Sequence, residues 1–221
     1  MERIPEPELM EEREQAIAYA NANFEEPHRK IVETFKQFFP DFSGQGYALD
    51  LGCGPADISI RMAQSYPDLY IHGVDGSQAM LDLGRAGITE RRLLERVKLV
   101  KCFIPNADLP MDKYDLIFSN SLLHHLHNPE VLWQTIKRYG DSSSTIFIVD
   151  LYRPENKREA QRIVQTYSAG EPPVLRKDFF NSLLAAFTQQ EVKDQLEQEN
   201  LNYLNLEKIS DRHMAVFGRL K

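Results

Sequence analysis

Cysteine is scarce in this 221-residue chain: Cys53 and Cys102 are the only two. A single pair cannot make a disulfide framework, so both read as reduced, small residues of a cytoplasmic protein. Also lacking is any stripe rich in Lys and Arg, and the net charge is −7. Proteins that hold long nucleic acid neutralise phosphates with clustered cations, so no such partner is expected. No hydrophobic run reaches membrane-spanning length, and the first residues, MERIPEPELMEEREQ, are acidic without an apolar core of signal-peptide size. No membrane partner is expected either. Internal repeats and low-complexity linkers are absent, and a hydrophobic content of 42% suits one compact unit.

What the chain does have is the run YALDLGCGPAD, Tyr47 to Asp57. It reads as a buried strand that breaks at Gly52 and Gly54 and opens a helix, with Asp50 just before the first glycine. Glycine suits such a turn because a Cβ would block both the tight bend and the approach of a ligand to the backbone. The dinucleotide fingerprint G-x-G-x-x-G would place a third glycine where Asp57 stands. Carboxylates at Asp57 and Asp50 would repel a pyrophosphate, whereas Asp50 suits a ligand with a cationic amino-acid end and no phosphate. A second apolar strand ends at Asp75, 21 residues after Gly54, followed by Gly76 and Ser77. A carboxylate about 20 residues on, at the tip of the next strand, can accept from both ribose hydroxyls. Asp75 could equally cap the helix beginning near Gln78.

Strand and helix patterns alternate, which predicts parallel strands with crossover helices. Strands are expected near residues 47–51, 70–75, 97–102, 114–119, 145–150, 203–209 and 213–220. Helices fit at 57–65, 77–83, 129–139, 154–167 and 189–199. Ser210-Asp211-Arg212 separates the last two strands, which should pair as a hairpin.

The segments LDLGCGPAD, GVDGSQAML and YDLIFSNSLLHHL together resemble the class I S-adenosylmethionine-dependent methyltransferases of small-molecule type, over about Tyr47 to Asp150. The resemblance implies a Rossmann-like α/β fold, with a seven-stranded, mostly parallel sheet whose last strand is antiparallel and helices on both faces. It implies S-adenosylmethionine as cofactor, with Asp50, Gly52 and Gly54 near its methionyl part, Asp75 with Gly76 and Ser77 at the ribose, and Ser119 and Asn120 near the reactive methyl. The chain departs from the family pattern at Ala56, where a third glycine is usual. It also departs after the third strand, where the acidic residue that commonly meets adenine is replaced by Phe103, so Phe103 and Ile104 are expected as an apolar wall.

Residues 1–45 are expected to form a helical lid over a domain of residues 46–221, with helical patterns at Met10–Asn21 and His28–Phe39 broken around Pro27. Tyr19 and Phe24 would line the substrate chamber or simply pack the helices. Residues 168–188 form a second candidate substrate-pocket segment. His124 and His125 are the candidate bases, because imidazole titrates near neutral pH; adjacent residues point about 100° apart, so one of the two, His124 by preference, should face the site. His127 is expected to point outward, and His213 to be structural, at the far end or in a turn. Arg153 could clamp an anionic substrate group or pair with Glu155 or Glu159. No His, Cys and carboxylate cluster shows metal spacing, so no metal is expected. The expected reaction is methyl transfer to a small molecule. An enzyme of the same fold that uses the cofactor otherwise, a non-catalytic cofactor-binding module, and a nucleic-acid or protein methyltransferase are the alternatives.

Overall fold

The computed structural model describes residues 1–6, 25–105 and 108–221. The Met10–Asn21 helical pattern, Tyr19 and Phe24 lie outside the described residues. Helix α1 (Glu25–Phe38) precedes β1 (Gln45–Leu51), α2 (Asp57–Ser65), β2 (Asp68–Asp75), α3 (Gln78–Glu90), β3 (Val97–Lys101) and β4 (Leu116–Asn120). After a 3₁₀ turn at Leu123–His125 come α4 (Glu130–Tyr139), β5 (Thr145–Leu151), α5 (Lys157–Ser168), α6 (Pro173–Ala185), α7 (Gln189–Gln198), β6 (Asn205–Lys208) and β7 (His213–Arg219).

The seven strands lie in one sheet in the order β3-β2-β1-β4-β5-β7-β6. β1 to β5 pair in parallel, while β7 runs antiparallel to both β5 and β6. The strand expectations from sequence therefore hold to within two residues, with the β6–β7 hairpin inserted so that its second strand meets β5. Two helices are longer than expected: α3 continues seven residues past Leu83, and α6 begins at Pro173, where the apolar pattern of residues 179–187 predicts a helix only from Phe179. Proline lacks a donor that the first turn does not need, so Pro173 can open a helix that apolar periodicity alone places later. Pro27, taken as a break, sits within the first turn of α1 for the same reason.

Alternation along the strands splits the core in two. Leu49, Leu51, Ile117, Ile146 and Ile148 face α4 and α7, where Trp133 is fully buried and donates Nε1–H to Gln195 at 3.0 Å. Ala48, Leu116, Phe118, Phe147 and Val149 face the other way, toward α1, α2 and α3. Phe35 of α1 is fully buried there, its ring 5.4 Å from Phe147 and 5.2 Å from Phe42. α5 and α6 pack on one another beside Leu151, with Ile163 and Leu183 between them.

The chain enters the sheet at β1, moves outward through β2 and β3, then returns to the other side of β1 with β4. Loops leaving the carboxyl ends of β1 and β4 therefore diverge to opposite faces, and such a switch point leaves a crevice above the sheet edge. No helix among the described residues is long and apolar enough to cross a membrane.

Candidate functional site

A cavity of about 1170 Å³ opens at that edge. Its floor is the turn after β1. Gly52 and Gly54 have φ of +70° and +51°, and a Cβ on Gly54 would meet nothing within 4 Å, so the backbone there is bare toward the cavity. A Cβ on Gly52 would instead strike Leu122, 2.9 Å away. Ala56, the departure from the glycine pattern, adopts φ 61°, ψ 22° and caps α2 in the left-handed region that L-residues seldom occupy.

Two carboxylates stand around this turn. Asp50 is buried and accepts from Ser59 Oγ at 2.6 Å. Burial pushes its pKa up to about 7 and the nearby charge of Asp75 adds to the rise, against the Ser59 hydrogen bond. Asp75 accepts from the backbone N–H of Gly54 at 2.9 Å and of Ser77 at 2.8 Å. Burial raises its pKa as well, opposed by those two donors. It thus braces the glycine turn, while the helix cap is Ser77, whose Oγ accepts from Met80 N–H at 3.3 Å. Gly76, Ser77, Phe103 and Ile104 line the cavity, as does Asn120. The buried Asn120 Oδ1 accepts no hydrogen bond from any described residue.

Asp57 departs from its expected part. Its carboxylate pairs with His28 Nδ1 at 2.7 Å and with Arg61 Nε at 2.6 Å, so its charge is answered within the protein. The repulsion of a pyrophosphate falls on Asp50 and Asp75.

On the β4–β5 side, the 3₁₀ turn brings His124 onto Asp150 at the end of β5. His124 Nδ1 lies 2.5 Å from Asp150 Oδ1, and Asp150 Oδ2 accepts the N–H of Leu123 at 2.7 Å. Burial opposes the charged imidazole, yet the Asp150 carboxylate, through charge and hydrogen bond, holds the His124 pKa above its ordinary value. Asp150 thereby fixes the ring and leaves Nε2 for other partners.

Several expectations are corrected here. Both His124 and His125 line the cavity, with ring centroids 4.2 Å apart and planes tilted by 35°, because the tight turn brings their rings together instead of splaying them as an α-helix would. His127 also reaches the cavity wall, its Nε2 3.0 Å from the Glu6 carbonyl oxygen. His213 pairs with Leu151 across the β5–β7 ladder, which puts it at the cavity edge and not at the far end. Burial lowers its pKa to about 4, helped by Arg212. Ser119 is off the cavity: it is buried and donates Oγ–H to the Leu51 carbonyl at 2.6 Å, since alternation along β4 turns it beneath the β1 end. Arg153 is likewise turned inward, donating to the Ala186 carbonyl at 3.0 Å and to Glu191 at 2.7 Å. Neither Glu155 nor Glu159 is its partner, and Arg153 does not line the cavity.

The sequence reading missed two contributions. Tyr167 of α5 lines the cavity, and so does Arg212, whose guanidinium lies 3.4 Å over the Tyr167 ring; Leu175, Phe179 and Ser182 of α6, which line it too, fall within the segment 168–188 expected at the substrate pocket. Glu6 arrives from the chain start, its Oε1 3.3 Å from His125 Nδ1 and 3.6 Å from His124 Nε2. Spacing in the sequence carries no signal for that meeting.

Comparison with known proteins agrees with this fold. A family model described as a methyltransferase domain matches residues 44–210. Over 126 residues the chain is 30% identical to trans-aconitate 2-methyltransferase of Delftia acidovorans, covering 57% of this chain and 44% of that one. Over 113 residues it is 29% identical to malonyl-[acyl-carrier protein] O-methyltransferase of Legionella pneumophila, covering 51% and 38%. The chain thus spans less than half the length of these curated relatives. A solved SAM-dependent methyltransferase from Aquifex aeolicus superposes with a TM-score of 0.68 at 15% identity, covering 95% of this chain and 99% of that one. The strand order and glycine turn are those of the class I methyltransferase fold, and the chain belongs to the methyltransferase domain family.

Proposed function

We propose that the protein is a cytoplasmic enzyme that transfers a methyl group from S-adenosylmethionine to a small molecule. The observation that carries this reading is the pair of carboxylates, the buried Asp50 and the half-buried Asp75, around a bare glycine turn, with the orphaned Asn120 Oδ1 beside them. Buried acceptors without a matching donor are costly unless a ligand supplies one. A ligand with an ammonium group and a ribose diol supplies both kinds of donor; a dinucleotide supplies a ribose diol but no ammonium group, and its pyrophosphate meets the two carboxylates.

In this reading Asp50 and Asn120 hold the amino-acid end, the backbone at Gly52 and Gly54 lies against it, Asp75 accepts from the ribose, and Phe103 and Ile104 flank the base. Once bound, the cofactor supplies a methyl group already activated by positive sulfur. The protein's remaining task is to hold and orient the acceptor atom. His124, steadied by Asp150, presents Nε2 on the acceptor side, where an unmetallated imidazole can take a proton from a hydroxyl, thiol or amine. α6 and the Tyr167–Arg212 stack roof the acceptor end. The names of the curated relatives, which include a trans-aconitate methyltransferase, support a small acceptor.

Calorimetric titration with S-adenosylhomocysteine and, separately, with NADH tests the cofactor. Heat with the former alone is expected; uptake of NADH alone would overturn the reading. Isotope transfer from methyl-labelled cofactor to a panel of small acids, alcohols, thiols and amines then identifies the acceptor.

A further inference from the structure

Three side chains that the sequence keeps far apart converge at the acceptor wall. One ligand atom from each of Glu6, His124 and His125 lies within 4.8 Å of the other two. The separations from Glu6 Oε1, 3.3 Å to His125 and 3.6 Å to His124, are long for hydrogen bonds, which centre near about 2.9 Å. They match the edge of a tetrahedron around an ion with ligand bonds of about 2.1 Å, roughly 3.4 Å.

We propose that Glu6, His124 and His125 form a binding site for a divalent transition metal ion, of which zinc is the best-matched occupant. The choice of ion follows from the donors: two imidazoles and one carboxylate suit borderline metals, whereas magnesium and calcium take oxygen ligands.

The surroundings are built as metal sites are built. Asp150 holds His124 at Nδ1 from behind, which fixes the tautomer that leaves Nε2 to ligate, the carboxylate–histidine arrangement found behind metal ligands. Ser182 Oγ donates to Glu6 Oε1 at 2.9 Å and orients the third ligand. Charge favours a cation, since among the described residues Glu6, Asp150 and Asp178 bring negative charge to this pocket and Arg3 opposes them. His124 and His125 also line the cavity, so coordination positions beyond the three protein ligands open onto the acceptor room. Three protein ligands with an open position is the pattern of a catalytic site, a structural site being closed by four.

The proposal rests on the cavity being the acceptor chamber of a methyltransferase, and it adds a means of activation. A hydroxyl, thiol or carboxylate acceptor that takes the open position would be held in place and, where it carries a proton, would lose it more readily to solvent water. His124 cannot do both jobs, because a nitrogen that ligates cannot accept a proton. In the metal-loaded protein His124 is therefore a ligand and acceptor ionisation belongs to the ion.

The test uses the full chain freed of metal by a chelator and titrated with Co²⁺, followed by visible absorption and elemental analysis, then challenged with Zn²⁺. One Co²⁺ per chain, displaced by Zn²⁺, is expected. His125→Ala and Glu6→Gln should each weaken Co²⁺ uptake by more than about 10-fold, while the dissociation constant for S-adenosylhomocysteine stays within about 2-fold, since neither residue belongs to the proposed cofactor set. Glu6→Gln keeps side-chain volume and the Ser182 contact, so the test stays decisive even where His125→Ala fails to fold. No Co²⁺ uptake, or uptake unchanged in the variants, overturns the metal site. Co²⁺ uptake without any S-adenosylhomocysteine heat in the parent protein would leave the metal site standing and remove the methyltransferase reading, so the two failures are told apart.

Discussion

Arg3 donates from Nη2 to the carbonyl oxygen of His124 at 2.9 Å, across 121 residues of chain. The same nitrogen reaches the Leu126 carbonyl at 2.9 Å, Nε reaches Ala185 at 2.5 Å, and the guanidinium lies 3.9 Å over the Phe187 ring. Ile4 N–H adds a bond to the Leu184 carbonyl at 3.0 Å. One guanidinium thus joins the chain start to the histidine turn and to the end of α6, and it delivers Glu6 to the acceptor wall.

Arg3→Ala should therefore loosen that wall. Loss of charge-assisted bonds to partly buried carbonyls is expected to cost about 2 kcal/mol. Urea unfolding should show the lower midpoint with an unchanged slope, and amide exchange at residues 123–126 should quicken.

Asp75→Ala should weaken S-adenosylhomocysteine binding by about 1–3 kcal/mol, which is roughly 5- to 150-fold. Asp75→Asn keeps an oxygen for the Gly54 N–H and should retain more of the affinity. Calorimetry on both variants checks the ribose role, and equal affinity to the parent in both would remove it.

Asp50 makes cofactor binding pH-dependent. Its folded pKa is raised to about 7 from the ordinary 3.8, so in the unliganded protein its contribution to stability is present below about pH 4 and lost as pH rises through 7. A cationic ligand needs the ionised form. Binding near pH 7 should thus expel about half a proton per chain, and affinity should fall as pH is lowered through 7. Titrations in buffers of different ionisation enthalpy read the proton, and Asp50→Asn should abolish its release.

Phe35→Ala should cost about 3–5 kcal/mol, the range for deleting a fully buried aromatic. The ring touches Phe39, Phe42, Tyr66 and Phe147, and it anchors α1 to the sheet face. Thermal unfolding measures it. A shift well under this range would mean that α1 is only loosely docked.

Most of the fold was legible because it is written locally. Thr145–Leu151 is an apolar run buried along its whole length, and burial in the middle of a sheet leaves it one structure to adopt. Asp57–Ser65 begins and ends where its pattern does. The length of α3 was less legible: a helix expected over 77–83 runs on through Gly84, whose lack of a Cβ lets it press on Leu99 and Pro55. The cofactor side of the site was equally local, since Gly52, Gly54 and Asp75 fall at fixed offsets around two strand ends. The acceptor side was not. Ser119 and Asn120 are neighbours in the chain, but alternation along β4 sends one under the β1 end and leaves the other on the cavity wall.

The order of residues alone determined the glycine turn, the two carboxylates beside it and the alternation of strand with helix, because each depends on neighbours within a few positions. Only the folded chain decided that Glu6 meets His124 and His125, that Arg153 is spent on Glu191 and that His213 reaches the cavity edge. Those meetings depend on where β7 inserts and on which crevice the chain start occupies, and the energy that selects them comes from packing between segments that no spacing rule connects.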